Sequence, residues 1–474
     1  MSPREWLLCA ALLWTAFGCG SHSTDVKIPE RPVPTTFEGG AVGRSVGTLS
    51  WRSFFPDPSL QSLIAGTLGA NPDLKIAFQR VELARAGVRQ TTGALAPQVA
   101  VGVGAGLKKP GRYTAEGAGN AGTEITPGRP VPSPVPQLAL GLDSSWEVDI
   151  WGKLRSARRA ALSRYLASVE GTRFVTSALV AEVAAAYFEL LALDHTQQVL
   201  QQTVLRQQEA LEVVRLQMQA GRANELAVQQ FAAQLASTRA MAVEVEVEIR
   251  ETESRLNLLR GSFSAKIERS QDSLLIDVAP RFATGVPSEM LRNRPDVRQA
   301  EAEIEAAKFD LASARAAFFP SLTLSAAVGF EAFNPRYLLS TPESLAYSAS
   351  AGLLAPLVNR SAIEAQFDAA KALQIQAMYN YQKVVLGAYA EVVGSLSRLE
   401  AGARITALRR ERQAAVAQTV ESADALYRAG KASYFEVLLA QQNTLSAELE
   451  LIEAMKAQHL GAVTLYKALG GGWL

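Results

Sequence analysis

The sequence predicts a mixed α and β membrane protein with an internal two-fold repeat, each chain giving four strands to a β-barrel and long coiled-coil helices to a helical barrel. Three observations predict it: two pairs of motifs recur at equal spacings, four short runs alternate apolar with small side chains, and the segment from Lys153 to Ala220 is free of proline. Composition narrows the field. The chain has 474 residues, 47 Lys and Arg against 46 Asp and Glu, a net charge of +1 and 20% charged residues. That balance argues against nucleic acid as a partner, because a phosphate-binding surface carries a basic excess. Hydrophobic residues make up 48%. No run after residue 20 is apolar for the roughly 18–20 positions a membrane-spanning helix needs, which excludes a polytopic helical membrane protein.

Residues 1–18 read as a signal peptide, since Trp6 to Gly18 is an apolar segment of suitable length that ends in a small residue. Ala16 and Gly18 ahead of Cys19 resemble a bacterial lipoprotein cleavage box, which makes Cys19 the lipidation site and the first residue of the mature chain. An ordinary secretory signal with an incidental cysteine is the alternative. Cys9, preceded by Leu8, is the weaker candidate. With only these two cysteines, no disulfide framework or cysteine metal site can exist. Residues 19–58, with Pro29, Pro32, Pro34, Pro56 and Pro58, have little helical or strand periodicity and read as an acylated, extended arm.

A repeated unit fills the rest. Asn71-Pro72-Asp73-Leu74 opens one helix and Arg294-Pro295-Asp296-Val297 another; the interval from Pro72 to Pro97 equals that from Pro295 to Pro320, and a strand-like run follows each. Gly221 to Gly261 likewise matches Gly430 to Gly470. These intervals give a first repeat over 59–261, a linker over 262–286 and a second repeat over 287–474. Each repeat reads helix, strand, loop, strand, very long helix, glycine break, helix.

Strands are expected over about 97–108, 135–148, 320–331 and 346–356, where side chains alternate with period two. Val99, Val101, Val103 and Leu107 oppose Gly102, Gly104 and Gly106, and Leu138, Leu140, Leu142 and Trp146 oppose Ala139, Gly141 and Asp143. The second half repeats this with Leu322, Leu324, Val328 and Phe330 against Thr323, Ser325 and Gly329, then Tyr347 and Leu353 against Ser348, Ser350 and Gly352. Runs of about ten residues suit tilted strands crossing a bilayer, with Trp146 and Tyr347 as an aromatic girdle. A half-buried strand of a soluble sandwich alternates in the same way. The long connections 109–134 and 332–345 favour the membrane reading, because outer membrane barrels carry long external loops.

Lys153 to Ala220 contains one glycine, Gly171, and at ~1.5 Å per residue a helix of that length approaches about 100 Å. Leu179, Val183, Ala186, Leu190 and Leu193, then Leu200, Val204, Leu211, Val214 and Met218, follow coiled-coil spacing. Gly221 ends that helix, and Leu226 to Leu259 folds back. Ile363 to Arg428 and Tyr434 to Leu469 repeat the pattern around Gly430. Glycine at each reversal supplies a left-handed backbone.

Four strands cannot close a barrel, and an open edge in hydrocarbon leaves backbone groups unsatisfied, so the chain must oligomerise. Two copies would make a barrel plugged by side chains; three, with twelve strands, leave a pore. The small inner-face residues favour the pore.

The chain resembles the outer membrane factor family, the trimeric TolC-like channels of efflux and secretion, in its NodT-type lipoprotein branch. The resemblance rests on Trp146-Glu147-Val148-Asp149-Ile150-Trp151-Gly152-Lys153-Leu154-Arg155, on Leu291 to Glu301 around Arg294-Pro295-Asp296, on Tyr427-Arg428-Ala429-Gly430 with Phe435-Glu436-Val437-Leu438, and on the terminal Leu469-Gly470-Gly471-Gly472-Trp473. It implies a homotrimer, a 12-stranded outer membrane β-barrel, a periplasmic α-barrel, a periplasmic adaptor (membrane fusion) protein and an inner membrane pump of RND type. It also implies a closed periplasmic end with acidic residues beside Tyr and Arg latches, which by position assigns Tyr427, Arg428 and Glu436 to the gate. Leu439 departs from the family pattern, where Asp is frequent. A solvated helix-face role for Glu436 near Lys431 stands beside the gate reading. The turns at Gly221, Arg222, Gly430 and Lys431 are expected to face the adaptor, besides ending their helices. The expected function is the outer membrane channel of a tripartite efflux system for small molecules such as drugs. A type I secretion channel and a non-conducting periplasmic scaffold are the alternatives.

No enzyme, cofactor or metal site is expected. His22, His195 and His459 are isolated from one another, and no glycine-rich phosphate loop follows a strand. In Arg294-Pro295-Asp296, Pro295 sits at a helix start and Asp296 complements the helix dipole.

Overall fold

A computed structural model of the chain describes residues 27–29, 32–38, 40, 43–278, 282–356 and 360–473. The expected signal peptide over 1–18, Cys9, the lipidation site Cys19, and His22 lie outside the described residues. The first half of the chain runs α1 (Trp51–Phe54), α2 (Pro58–Ala70), α3 (Pro72–Gly93), β1 (Gln98–Lys108), α4 (Ala115–Gly122), β2 (Glu124–Thr126), β3 (Arg129–Pro130), β4 (Val135–Val148), α5 (Lys153–Gln219) and α6 (Glu225–Leu259). The second runs α7 (Pro287–Asn293), α8 (Pro295–Ala316), β5 (Ser321–Ala332), β6 (Leu345–Leu354), α9 (Ser361–Arg428) and α10 (Tyr434–Ala468). Helices α3 and α8 have 22 residues each, α5 and α9 have 67 and 68, and α6 and α10 have 35 each. Apart from α4, β2 and β3, which have no counterpart between β5 and β6, the elements from α3 to α6 and from α8 to α10 follow in the same order, and the helices nearly match in length. The chain divides into two compact units.

One unit comprises chiefly Leu83–Tyr165 and Ala302–Met378. Its centre is a four-stranded antiparallel sheet of order β1-β4-β5-β6. The connection over 109–134, expected as a plain loop, instead holds α4 and the β2–β3 hairpin. Thr114 caps α4 by accepting from Gly117 N at 3.1 Å, and Gly128, at φ +79°, turns the hairpin. After β4 the chain is anchored by Asp149, which accepts from the backbone N–H groups of Leu154 and Arg155 at 3.0 and 2.9 Å and from Arg155 Nε at 3.0 Å. Burial pushes the Asp149 carboxyl up, but these donors outweigh it and hold the group below its ordinary value. Trp151 stacks on Phe319 at 4.9 Å and donates to Pro320 O at 2.8 Å, tying the start of α5 to the start of β5.

The other unit, Pro29–Glu82, Leu166–Glu301 and Tyr379–Leu474, is helical. A window of α5 has mean hydropathy 1.6, apolar enough to cross a membrane by composition, yet 61% of it is buried within the protein. Leu179, Val183, Ala186 and Leu190 form the core there with Leu60, Ile64, Leu256 and Tyr466, as the spacing predicts. Residues 46–54 depart from the extended arm: a 3₁₀ turn at Val46–Thr48 leads to α1, because Trp51 and Phe55 are apolar enough to join that core. Asp57 caps α2, accepting from Ser59 N and Leu60 N, and also accepts from Tyr187 Oη at 2.7 Å and Ser273 Oγ at 2.6 Å. Burial and the Asp57 carboxylate push the Tyr187 hydroxyl well above its ordinary value. His459 is satisfied in the core, with Nε2 3.1 Å from Leu274 O and its ring stacked on Phe188; burial lowers its pKa below 6.5.

The residue before each Pro-Asp motif performs one task in both halves. Asn71 Nδ2 donates to Leu259 O, the last carbonyl of α6, at 2.7 Å. Arg294 Nη1 donates to Ala468 O, the last carbonyl of α10, at 2.9 Å. Each bond satisfies a helix-end acceptor that the helix itself leaves unpaired. Gly261 and Gly470 then turn the chain at φ +68° and +87°.

Candidate channel wall and helical gate

The wall is built by register. Val101 pairs with Leu142, Leu142 with Val328, and Val328 with Tyr347; Val103, Leu140, Phe330 and Leu345 form the next row, and Trp146, Leu324 and Ala351 another. A one-residue slip would exchange the faces, so the register places the apolar residues of all four strands on one side. Opposite them lie Gly102, Gly141, Gly329 and Ala346 in one row, and Asp143, Ala327 and Ser348 in the next. Val101, Val103, Leu107, Tyr347 and Leu353 are between 67% and 82% exposed, an apolar face left uncovered by the described residues. Both β1 and β6 have a neighbour on one side only, among the described residues. The expected girdle residues share the apolar face: Trp146 lies one row from the α5 end of β4, and Tyr347 one row from the opposite end of β6. Trp146 Nε1 donates to Leu95 O at 3.0 Å.

At the crossing of Gly141 and Gly329 the backbones approach closely. A β-carbon on Gly329 would lie 2.5 Å from both Gly141 Cα and Leu140 O, and one on Gly141 would lie 2.8 Å from Val328 O. Only glycine fits there without the two strands moving apart.

In the helical unit, the chain reverses at two turns of matching geometry. Gly221 and Gly430 stand at φ +69° and +70°. Arg222 N donates to Gln217 O at 2.8 Å and Lys431 N to Leu426 O at 2.9 Å, while Gly221 N and Gly430 N reach Met218 O and Tyr427 O at 3.0 Å. This is the paired bonding that closes a helix C-terminus on a left-handed residue. Gly221, Arg222, Gly430 and Lys431 are all exposed. Asn224 caps α6 by accepting from Ala227 N at 3.0 Å, and Glu436 accepts from Ser433 N at 2.6 Å at the start of α10.

Of the three expected gate residues, each is bonded separately. Tyr427 Oη donates to Gln217 Oε1, linking the end of α9 to the end of α5. Arg428 pairs with Asp424 at 2.7 Å on its own helix, and Glu436 is engaged with the Ser433 N–H and hydroxyl. Leu439, where family members often have Asp, is 45% exposed beside Phe435 at 57%. Burial raises the Tyr427 hydroxyl pKa. Sequence reasoning missed Gln217, whose backbone oxygen closes one turn while its side chain holds Tyr427. It also missed Arg294, which is 5% exposed and grips Asp296 at 2.6 and 3.0 Å and Glu391 at 2.8 Å. The available signal for Arg294 was its place, equivalent to that of Asn71.

An amphipathic sheet with open edges, joined in sequence to long paired helices, defines an outer membrane channel subunit. The outer membrane efflux protein family matches residues 63–262 and 286–471, and the chain belongs to that family, which consists of efflux channels rather than enzymes. It is 31% identical over 491 residues to the cation efflux system protein CusC of Escherichia coli, covering all of both chains. It is 31% identical over 472 residues to the pyoverdine export outer membrane protein OpmQ of Pseudomonas aeruginosa, covering 98% of this chain and 96% of that one. A crystal structure of CusC matches with a TM-score of 0.82 at 27% identity, over 94% of this chain and 99% of that one. The protein is an outer membrane efflux channel component.

Proposed function

We propose that three copies close their sheets edge to edge into a twelve-stranded barrel, that their long helices line a periplasmic tunnel, and that small molecules such as drugs leave the cell through it. The sheet carries this reading: one face is apolar, the other small and polar, and both edges are open. The matching bonds of Asn71 and Arg294 support an origin of the two halves from one duplicated unit.

Tyr427, Arg428 and Glu436 form the closed end of the tunnel. Three Glu436 carboxylates gathered on one axis repel, which favours the entry of cationic solutes. In planar bilayers the wild-type protein is expected to conduct, with Tyr427→Phe or Glu436→Gln raising its single-channel conductance. Unchanged conductance in both variants counts against this gate, and a silent wild type counts against the channel.

The exposed turns at Gly221, Arg222, Gly430 and Lys431 dock a periplasmic adaptor, which joins the channel to an RND-type inner membrane pump. Relatives named for cation efflux and for pyoverdine export support a division of labour in which the pump selects the substrate. Cys19 carries the lipid anchor. A photocrosslinker at position 222 or 431 labels the co-purified adaptor, and the mature N-terminal peptide has the mass of an acylated cysteine. An unlabelled adaptor sinks the docking assignment, and an unmodified Cys19 sinks the anchor.

A further inference from the structure

The inward stripe of α5 runs Leu200, Thr203, Gln207, Leu211 and Val214, each buried. Gln207 thus occupies a core position at 1% exposure, and among the described residues neither its Oε1 nor its Nε2 has a hydrogen-bond partner. Gln230 Oε1 on α6 and Gln441 Oε1 on α10 are also buried without partners. These amides lie around the seam where α10 meets α5 and α6, since Leu438 packs into the cluster of Leu211, Val214 and Phe231. Among the described residues two hydrogen bonds cross the seam, Gln442 Nε2 donating to Gln234 Oε1 at 2.6 Å and Tyr427 Oη to Gln217 Oε1, and the Arg206 guanidinium on α5 attracts the Glu448 carboxyl on α10.

A buried amide that makes no hydrogen bond opposes the packing around it, and water reaching it removes that penalty. Near the turn, the seam among the described residues therefore combines the apolar contact around Leu438, two hydrogen bonds through amides and three orphaned amides. Farther from the turn, α10 packs by Ile452, Met455 and Val463 into the core of α5 and α6. We propose that Gln207 is a gating residue: by keeping the packed seam only marginally favourable, it lets the α9–α10 hairpin part from the α5–α6 hairpin, so that the proposed gate can open. This rests on assigning the turn end of these helices as the gate. Gln207 acts through packing and hydration and touches no solute.

Leucine or methionine at this position fills similar space without the orphaned groups. The test uses the purified full-length protein in detergent, with hydrogen exchange of the first turns of α10 and planar-bilayer conductance as separate readouts. Gln207→Leu, and Gln207→Met should the branched side chain misfold, slow exchange over residues 434–445 by about tenfold, the equivalent of ~1.4 kcal/mol, and lower single-channel conductance. Tyr427→Phe, which removes one link, shifts both readouts the other way. Unchanged or faster exchange in both Gln207 variants overturns the proposal. So does slowed exchange with unaltered conductance. If the wild type conducts nothing, the channel reading fails by itself, and the exchange rates still judge whether Gln207 loosens the seam.

Discussion

A chain carrying Gly329→Val is expected to make its helices and yet fail to form the proposed trimer in detergent. The added β-carbon meets Gly141 Cα and Leu140 O at 2.5 Å, and neither contact is the free end of a flexible side chain. Strands β4 and β5 would have to move apart or flatten, and both motions work against closure of the proposed barrel. Overpacking of this kind costs about 1–3 kcal/mol in ordinary cores, and backbone-to-backbone crowding belongs at the upper end. The oligomer fraction on a semi-native gel should fall by at least about tenfold, since ~1.4 kcal/mol already gives that factor. Gly106→Val is the control: it lies on the same face, with nothing within 4 Å of the added carbon, and valine suits a strand. Equal oligomer yield from the two variants would sink the account of a crowded crossing.

The second large effect is expected at Arg294→Met. The guanidinium is 5% exposed and holds Asp296, Glu391 and the last carbonyl of α10. Removing it leaves the buried carbonyl without its partner and Asp296, 19% exposed on its side chain, with the Val297 N–H at 3.0 Å. An unsatisfied buried acceptor costs about 1–3 kcal/mol, and the weakened carboxylate places the total at the upper end. Glu391 is 56% exposed on its side chain and contributes little of this. Thermal unfolding followed by circular dichroism in detergent should show the loss. Arg294→Lys should recover only a small part, because a single ammonium cannot reproduce two forks at once. Arg250→Met, which removes an exposed pair with Glu246, should change stability by less than ~0.5 kcal/mol. An Arg294→Met protein as stable as Arg250→Met would refute the anchoring role.

Much of the architecture is legible in the residues because each element has one dominant period. Valines and leucines alternating with glycine and serine can satisfy only a two-faced strand, and the heptad run from Leu179 to Met218 only a long packed helix. Gly221 and Gly430 are readable for a similar reason: a helix reversal needs a left-handed residue, and glycine is the cheapest. The site is less legible. Gln217, Gln207 and Gln442 look like any helix-face glutamines, because their roles arise from neighbours more than twenty positions away along the chain. Arg294 reads as a helix-start residue until its partners on α9 and α10 are seen. The α4 segment was hidden by its glycines, which argue for loop although Thr114 provides a cap. Residues 46–54 were hidden by prolines on either side, although Trp51 and Phe55 are the kind of bulk that seeks a core.

The bare margins of β1 and β6 also constrain biogenesis. A solitary polypeptide crossing the periplasm carries two rows of amide and carbonyl groups able to template wrong pairing with any extended segment it encounters. In the proposed oligomer these edges pair with one another, so association of the copies would remove that hazard as well as close the barrel. The stability of the proposed oligomer would consequently depend on the concentration of copies.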